Sequence, residues 1–127
     1  MMQKKELVYS SKSPIPSSPY SPAIIADNFV FVSGQGPTDP LTGNRPEGIE
    51  AQTKAVIEKI ESLLIESGSD LSHIVKTTVF LSNLEDYAGM NKVYQELIPE
   101  PYPSRSTIGV KLLGNILVEI EVVAQIK

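Results

Sequence analysis

The sequence predicts an α+β fold, a single mixed β-sheet with two helices packed on one face, in the order β-β-β-α-β-α-β-β. Three observations carry this expectation. The ten prolines fall in three clusters, 14–22, 37–46 and 99–103. Proline fixes φ and lacks a donor, so regular structure belongs in the proline-free blocks 47–98 and 104–127. Across those blocks and residues 23–33 the apolar pattern switches between a period of two and a period near 3.6. Finally, 127 residues form one domain, 1–127, which buries roughly two thirds of its unfolded surface and needs no covalent staples.

The elements follow in order. Residues 7–9 form a short strand, and residues 23–26 and 29–33 read as strand, tight turn over Asp27-Asn28, and strand. Residues 49–67 have helical spacing, with Ile49, Val56, Ile60, Leu63 and Leu64 on one side and Gly68 as the stop. Residues 75–81 are β-branched and alternating, hence a strand. Asn83, with Asp86 three residues on, is placed as the N-cap of a second helix running to about Ile98. Its inward stripe is expected to be Leu84, Tyr87, Ala88, Asn91, Tyr94 and Ile98. Residues 104–110 and 116–126 read as two closing strands with Gly114-Asn115 in the turn between them.

The last strand presents Ile116, Val118, Ile120, Val122 and Ala124 on one face, and Leu117 and Val123 on the other. Phe29 and Phe31 likewise oppose Val30 and Val32. Two helices cover only one side of such a sheet, so the second apolar side calls for a partner. Another copy of the same chain is the simplest, and a homo-oligomer is expected.

Composition narrows the chemistry. The chain has no cysteine, which removes disulfides, thiolate nucleophiles and Cys-ligated metals. Its net charge is −4, its nine lysines are scattered, its only arginines are Arg45 and Arg105, and it has no tryptophan. This is not the basic, aromatic-bearing face of a nucleic-acid binder. No signal peptide or membrane-crossing apolar run is visible, so a cytoplasmic location and no membrane partner are expected.

Arg105 opens a strand after Pro103-Ser104, and a guanidinium held there is suited to grip a carboxylate through two parallel hydrogen bonds. An ion pair with Glu119 or Glu121 is the alternative. Those two glutamates interrupt an apolar, central strand. Either could activate water as a general base, or could serve as partner to Arg105 or Lys76. Asn91 either ties down a loop backbone or lines a polar site. Tyr20, on the proline-stiffened loop 18–22, either covers a pocket or plugs the edge of the core. Ser33-Gly34-Gln35-Gly36 lets backbone approach something closely, but lacks the lysine and following helix of a phosphate loop. His73 is the lone histidine and is assigned a surface or capping role, with no metal site and no Ser-His relay.

Taken in order, these segments resemble the reactive-intermediate deaminase family (RidA, formerly YjgF). The resemblance runs through Pro19-Tyr20-Ser21, Ser33-Gly34-Gln35, Asp39-Pro40-Leu41-Thr42-Gly43, Gln52 and Val75-Lys76-Thr77-Thr78-Val79-Phe80. It continues through Asn91, Tyr94, Pro103-Ser104-Arg105-Ser106 and Val118-Glu119-Ile120-Glu121. It implies chorismate-mutase-like subunits in a homotrimer with three clefts between neighbours. It also implies hydrolysis of 2-imino acids such as iminobutanoate and iminopropanoate to 2-keto acids and ammonia, without metal or organic cofactor. By position, Arg105 would bind the substrate carboxylate, and Glu119 would orient water with help from the Thr107 backbone carbonyl. Gly34 would offer backbone contacts, while Tyr20, Ser33 and Asn91 line the cleft. A non-catalytic sensor of small keto or amino acids, or a ribonuclease, are the competing expectations. Ser18, Pro22, Lys59 and a turn between Val110 and Val118 that is one residue short depart from the family pattern.

Overall fold

The computed structural model of the chain describes residues 4–127. The strands are β1 (Glu6–Val8), β2 (Ala23–Ala26), β3 (Phe29–Gln35), β4 (Ile74–Leu81), β5 (Ser104–Gly109) and β6 (Val118–Gln125), and the helices are α1 (Ile49–Glu66) and α2 (Tyr87–Leu97). The anticipated element types and order hold. The six strands form one mixed sheet in the order β1-β2-β3-β6-β4-β5, antiparallel throughout except for the parallel pair β4–β5.

Local chemistry explains most boundaries. Asp27 adopts a φ of 52° in the turn between β2 and β3, a conformation short polar side chains tolerate. Gly68, at φ 82°, ends α1: its N–H donates to the Ile65 carbonyl (3.1 Å) and that of Ser69 to the Leu64 carbonyl (2.8 Å). This is the Schellman arrangement, in which a positive-φ residue turns the chain back over orphan carbonyls. Val56, Ile57, Ile60, Leu63 and Leu64 of α1 are buried against Val30, Val79, Val118, Ile120 and Val122 of the sheet.

Two expectations fail. The strands after Pro103 do not form a hairpin. Gly114 and Asn115 do take positive φ (77° and 55°), but within a longer loop that carries the chain past β4, so that β6 inserts between β3 and β4. β5 is left at the sheet edge, reached from β4 through α2 as a parallel crossover. Asn83 caps a short 3₁₀ turn, Leu84–Asp86, its side chain accepting from the Glu85 N–H (2.9 Å), and α2 starts only afterwards. The inward stripe shifts with it. Met90, Val93, Tyr94 and Ile98 are buried and Asn91 is half-buried, whereas Leu84, Tyr87 and Ala88 are exposed.

The sheet has one covered and one uncovered face, as its two-sided apolar pattern predicts. Register aligns Leu7, Ile24, Phe31 and Val123 across β1, β2, β3 and β6 on the side away from the helices. Leu7 and Phe31 remain about half exposed there, at 49% and 46%. The same face carries Glu119 opposite Phe80 and Glu121 opposite Thr78. Among the described residues no helix is long and apolar enough to cross a membrane.

Candidate active site

Parallel register sets Arg105 beside Thr77, so both point to the helix-covered side. Thr77 is buried, and its hydroxyl lies 2.9 Å from the Tyr94 hydroxyl. The Arg105 guanidinium lies over the Tyr94 ring, 4.8 Å from its centroid, and 5.6 Å from that of Tyr87. Its Nη2 donates to the Tyr87 hydroxyl at 3.0 Å. Among the described residues no carboxylate lies within salt-bridge distance of Arg105. The anticipated alternative, an ion pair with Glu119 or Glu121, is excluded by topology because both glutamates sit on the opposite face. The fork is oriented by aromatic rings and faces a cavity of about 290 Å³ lined by Asn91, Tyr94, Gln95, Tyr102, Pro103 and Arg105. A cation stacked on aromatic faces keeps its hydrogen-bonding edge available.

α2 supplies this half of the site. Tyr87, Asn91 and Tyr94 recur at three- and four-residue spacing along it, and Tyr87 and Tyr94 both meet Arg105 of β5. Asn91 therefore serves the polar cavity rather than a loop backbone. A hydrogen bond from Asn91 and the adjacent Arg105 charge hold the Tyr87 phenol below its ordinary range. Burial pushes the Tyr94 phenol up. Thr107 follows on the same side of β5, two residues beyond Arg105. Tyr87 and Tyr94, which hold Arg105, are marked in the sequence only by the i to i+7 spacing of two tyrosines on one helix.

The second group gathers on the uncovered face. Between Val32, paired with Val122, and Gln35, paired with Ile120, β3 advances three residues against two on β6. This bulge falls at Ser33-Gly34 and re-aims the strand there. A Cβ placed on Gly34 would lie 2.3 Å from Oε2 of Glu119. The carboxylate thus packs on bare backbone that only glycine leaves open. Burial raises the Glu119 carboxyl above its ordinary range, and neighbouring Glu121 raises it further. The Ser33 hydroxyl donates to the Ser21 carbonyl at 2.6 Å, and its N–H to the Pro22 carbonyl at 2.9 Å. Loop 18–22 is thereby pinned to the bulge, and Tyr20, Ser21 and Ser33 line a hollow of about 430 Å³ with Phe31 and Glu121. Tyr20 is exposed at its rim, so it does not plug the core.

The sequence-derived site residues therefore form two half-sites. Arg105, Asn91 and Thr107 belong to one, on the helix side at the β5 edge. Tyr20, Ser33, Gly34 and Glu119 belong to the other, on the uncovered face. A single copy does not bring Arg105 and Glu119 together.

Other candidates resolve as structural. Asp70 Oδ1 accepts from the Ser72 N–H (2.9 Å) and lies 2.5 Å from the Ser72 hydroxyl and 2.8 Å from His73 Nδ1. Those hydrogen bonds hold the Asp70 carboxyl well below the usual carboxylate range. All three residues sit within one surface turn, where Asp70 is the N-cap and His73 packs its ring nitrogen against it. Gln52 is a buried clasp: its Nε2 donates to the Pro46 carbonyl (3.0 Å) and its Oε1 accepts from the Leu117 N–H (2.9 Å). The shortened turn after Val110 lies against that clasp, with Asn115 and Leu117 beside Arg45 and Gln52 rather than in either half-site. Among the described residues no group of three or more His, Asp or Glu side chains is placed to hold a metal ion.

Comparison with known proteins agrees with this architecture. The profile of the Endoribonuclease L-PSP family matches residues 10–126. A RutC family protein of Pyrococcus abyssi is 46% identical over 94% of this chain and 96% of its own. Reactive Intermediate Deaminase A, chloroplastic, of Arabidopsis thaliana is 42% identical over 95% of this chain and 66% of its own. The crystal structure of RidA from the Antarctic bacterium Psychrobacter superposes with a TM-score of 0.89 at 35% identity, covering 95% of this chain and 99% of that one.

Proposed function

The chain belongs to the Endoribonuclease L-PSP family, which also carries the names YjgF, RidA and RutC, and from that premise we propose that it hydrolyses short 2-imino acids to 2-keto acids and ammonia. Iminobutanoate and iminopropanoate are the proposed substrates. The observation that carries this reading is the Arg105 guanidinium, free of any carboxylate among the described residues and held over Tyr94 at the edge of an open cavity.

An imine carbon is already electrophilic, so catalysis consists of positioning. Arg105 takes the substrate carboxylate in a two-pronged grip. Glu119 of a neighbouring copy holds the attacking water and accepts one of its protons as the oxygen bonds to the imine carbon. That proton is returned to nitrogen, the carboxylate then carries the remaining hydroxyl proton to the same nitrogen, and the tetrahedral intermediate expels ammonia as its C–O bond becomes the carbonyl of the keto acid. The Thr107 backbone carbonyl and the Gly34 backbone complete the cradle, with Tyr20, Ser33 and Asn91 lining it.

The proposed assembly is a homotrimer. The apolar row Leu7, Ile24, Phe31 and Val123 needs a cover, and the two half-sites are different surfaces. The half-sites lie on opposite faces of the sheet, so one self-complementary two-fold patch does not carry both, whereas a head-to-tail interface joins an Arg105 half to a Glu119 half and closes as a ring. A cytoplasmic location belongs to the same proposal.

Coupling the purified protein to a threonine dehydratase tests the reaction. Wild type is expected to accelerate imine breakdown in proportion to its concentration. A rate equal to the uncatalysed one, together with binding of 2-ketobutyrate, would instead make the protein a sensor. Gly34→Ala is a second expected outcome. The added methyl displaces the end of a flexible side chain, so folding is retained while Glu119 leaves its position and kcat falls by about 10²-fold. Thermal unfolding beside steady-state kinetics checks this, and unchanged kcat would remove Glu119 from the mechanism.

A further inference from the structure

A hollow of about 670 Å³ lies away from both half-sites, between loop 37–46 and the outer side of α1. Lys59 lines it from the middle of α1, together with Arg45, Lys12, Asp39 and Glu58. Its Nζ donates to the Thr38 carbonyl. Asp39 is already engaged, its Oδ1 accepting from the Leu41 N–H (2.8 Å) and the Thr42 N–H (3.4 Å) to hold the loop turn. Among the described residues neither Lys12 nor Arg45 forms a salt bridge. The hollow thus combines one anchored amine with two uncommitted cations.

We propose that this hollow is a second site, at which the Lys59 amine forms a Schiff base with small carbonyl acids whose carboxylate is taken by Arg45. The geometry is suited to that step. One N–H of the amine is spent on the Thr38 carbonyl, which anchors the nitrogen at the wall of the hollow, and once unprotonated the amine has its lone pair free for attack. The lone pair attacks the carbonyl carbon to give a carbinolamine. Loss of water, which carries off the carbonyl oxygen and both former amine hydrogens, leaves a C=N bond. No oxidant or reductant is involved. Burial lowers the Lys59 pKa against the opposing pull of Asp39, so more of this amine is in its nucleophilic form near neutrality than of an ordinary surface lysine. The other eight lysines supply an internal control.

Glyoxylate with cyanoborohydride at neutral pH, followed by intact-mass and peptide mapping of the full chain, tests the proposal. Lys59 is expected to be trapped about tenfold faster than exposed lysines such as Lys54 and Lys92. Arg45→Ala is expected to slow that trapping several-fold. Lys59→Arg keeps the charge and the bond to Thr38, and is expected to abolish the adduct while leaving imine hydrolysis unchanged. Adducts spread evenly over the exposed lysines, or trapping at Lys59 indifferent to Arg45→Ala, would overturn the assignment. The wild-type map decides even if a variant fails to fold.

Discussion

Arg105→Ala is expected to lower kcat/KM for 2-imino acids by about 10²–10⁴-fold. The figure follows from losing two charge-assisted hydrogen bonds of about 1.5–3 kcal/mol each. Stability should barely move, within about 0.5 kcal/mol. Among the described residues Arg105 has no acidic partner to orphan, and its guanidinium donates to the exposed Tyr87. Arg105→Lys preserves the charge but not the planar fork or its stacking on Tyr94, and should recover only part of the loss. Steady-state kinetics of the three proteins, with circular dichroism melts beside them, make the comparison. A loss of activity that merely tracks a loss of folded protein would deny Arg105 its role.

Glu119→Gln is expected to reduce kcat by about 10²–10⁴-fold with little change in KM, since the carboxylate anchor stays intact while the water loses its base. Its effect on stability runs the other way. Burial raises the Glu119 pKa in the folded chain, so the folded state binds this proton more tightly than the unfolded one. Stability from that group is therefore fully present below the ordinary carboxylate pKa, and is lost as pH rises through the elevated folded value. At neutral pH the neutral amide escapes this penalty, and Glu119→Gln should melt slightly higher than wild type, the advantage disappearing in acid. The same shift places the acid limb of the activity profile above the ordinary carboxylate range. Equal melting of variant and wild type at all pH values, or an acid limb at the ordinary position, would contradict the burial argument.

Much of this molecule is legible in its sequence because the signals are local. Proline clusters marked the loops, the α1 stripe with Gly68 marked a helix and its stop, and alternation marked each strand. Glu119 stands out as a charge in an apolar strand, and Arg105 as a guanidinium at the start of one. Strand pairing was not legible. Residues 104–110 and 116–126 carry a turn between them and look like hairpin arms, yet alternation specifies faces and not neighbours. Only closure of the β4–α2–β5 crossover decides that β5 goes to the edge and β6 to the centre. That choice puts Arg105 and Glu119 on opposite faces, which spacing along the chain cannot reveal. The α2 stripe was misread for a related reason. Asn83 caps a 3₁₀ turn rather than the helix, so Leu84 falls outside α2, and Ala88 lies on its exposed side. The β3 bulge at Ser33-Gly34 also left no mark beyond the glycine itself.

In the proposed assembly each reaction centre is built from two chains, one offering its cation and the next its acid. Mixing separately inactive Arg105→Ala and Glu119→Gln proteins, with exchange of subunits under mild denaturant, measures this directly. Random reassembly at equal amounts places an intact Arg105 against an intact Glu119 at one position in four, so about a quarter of wild-type turnover should return. If the mixture stays as inactive as its components although exchange is demonstrated by mass, the two residues do not share a cleft between copies.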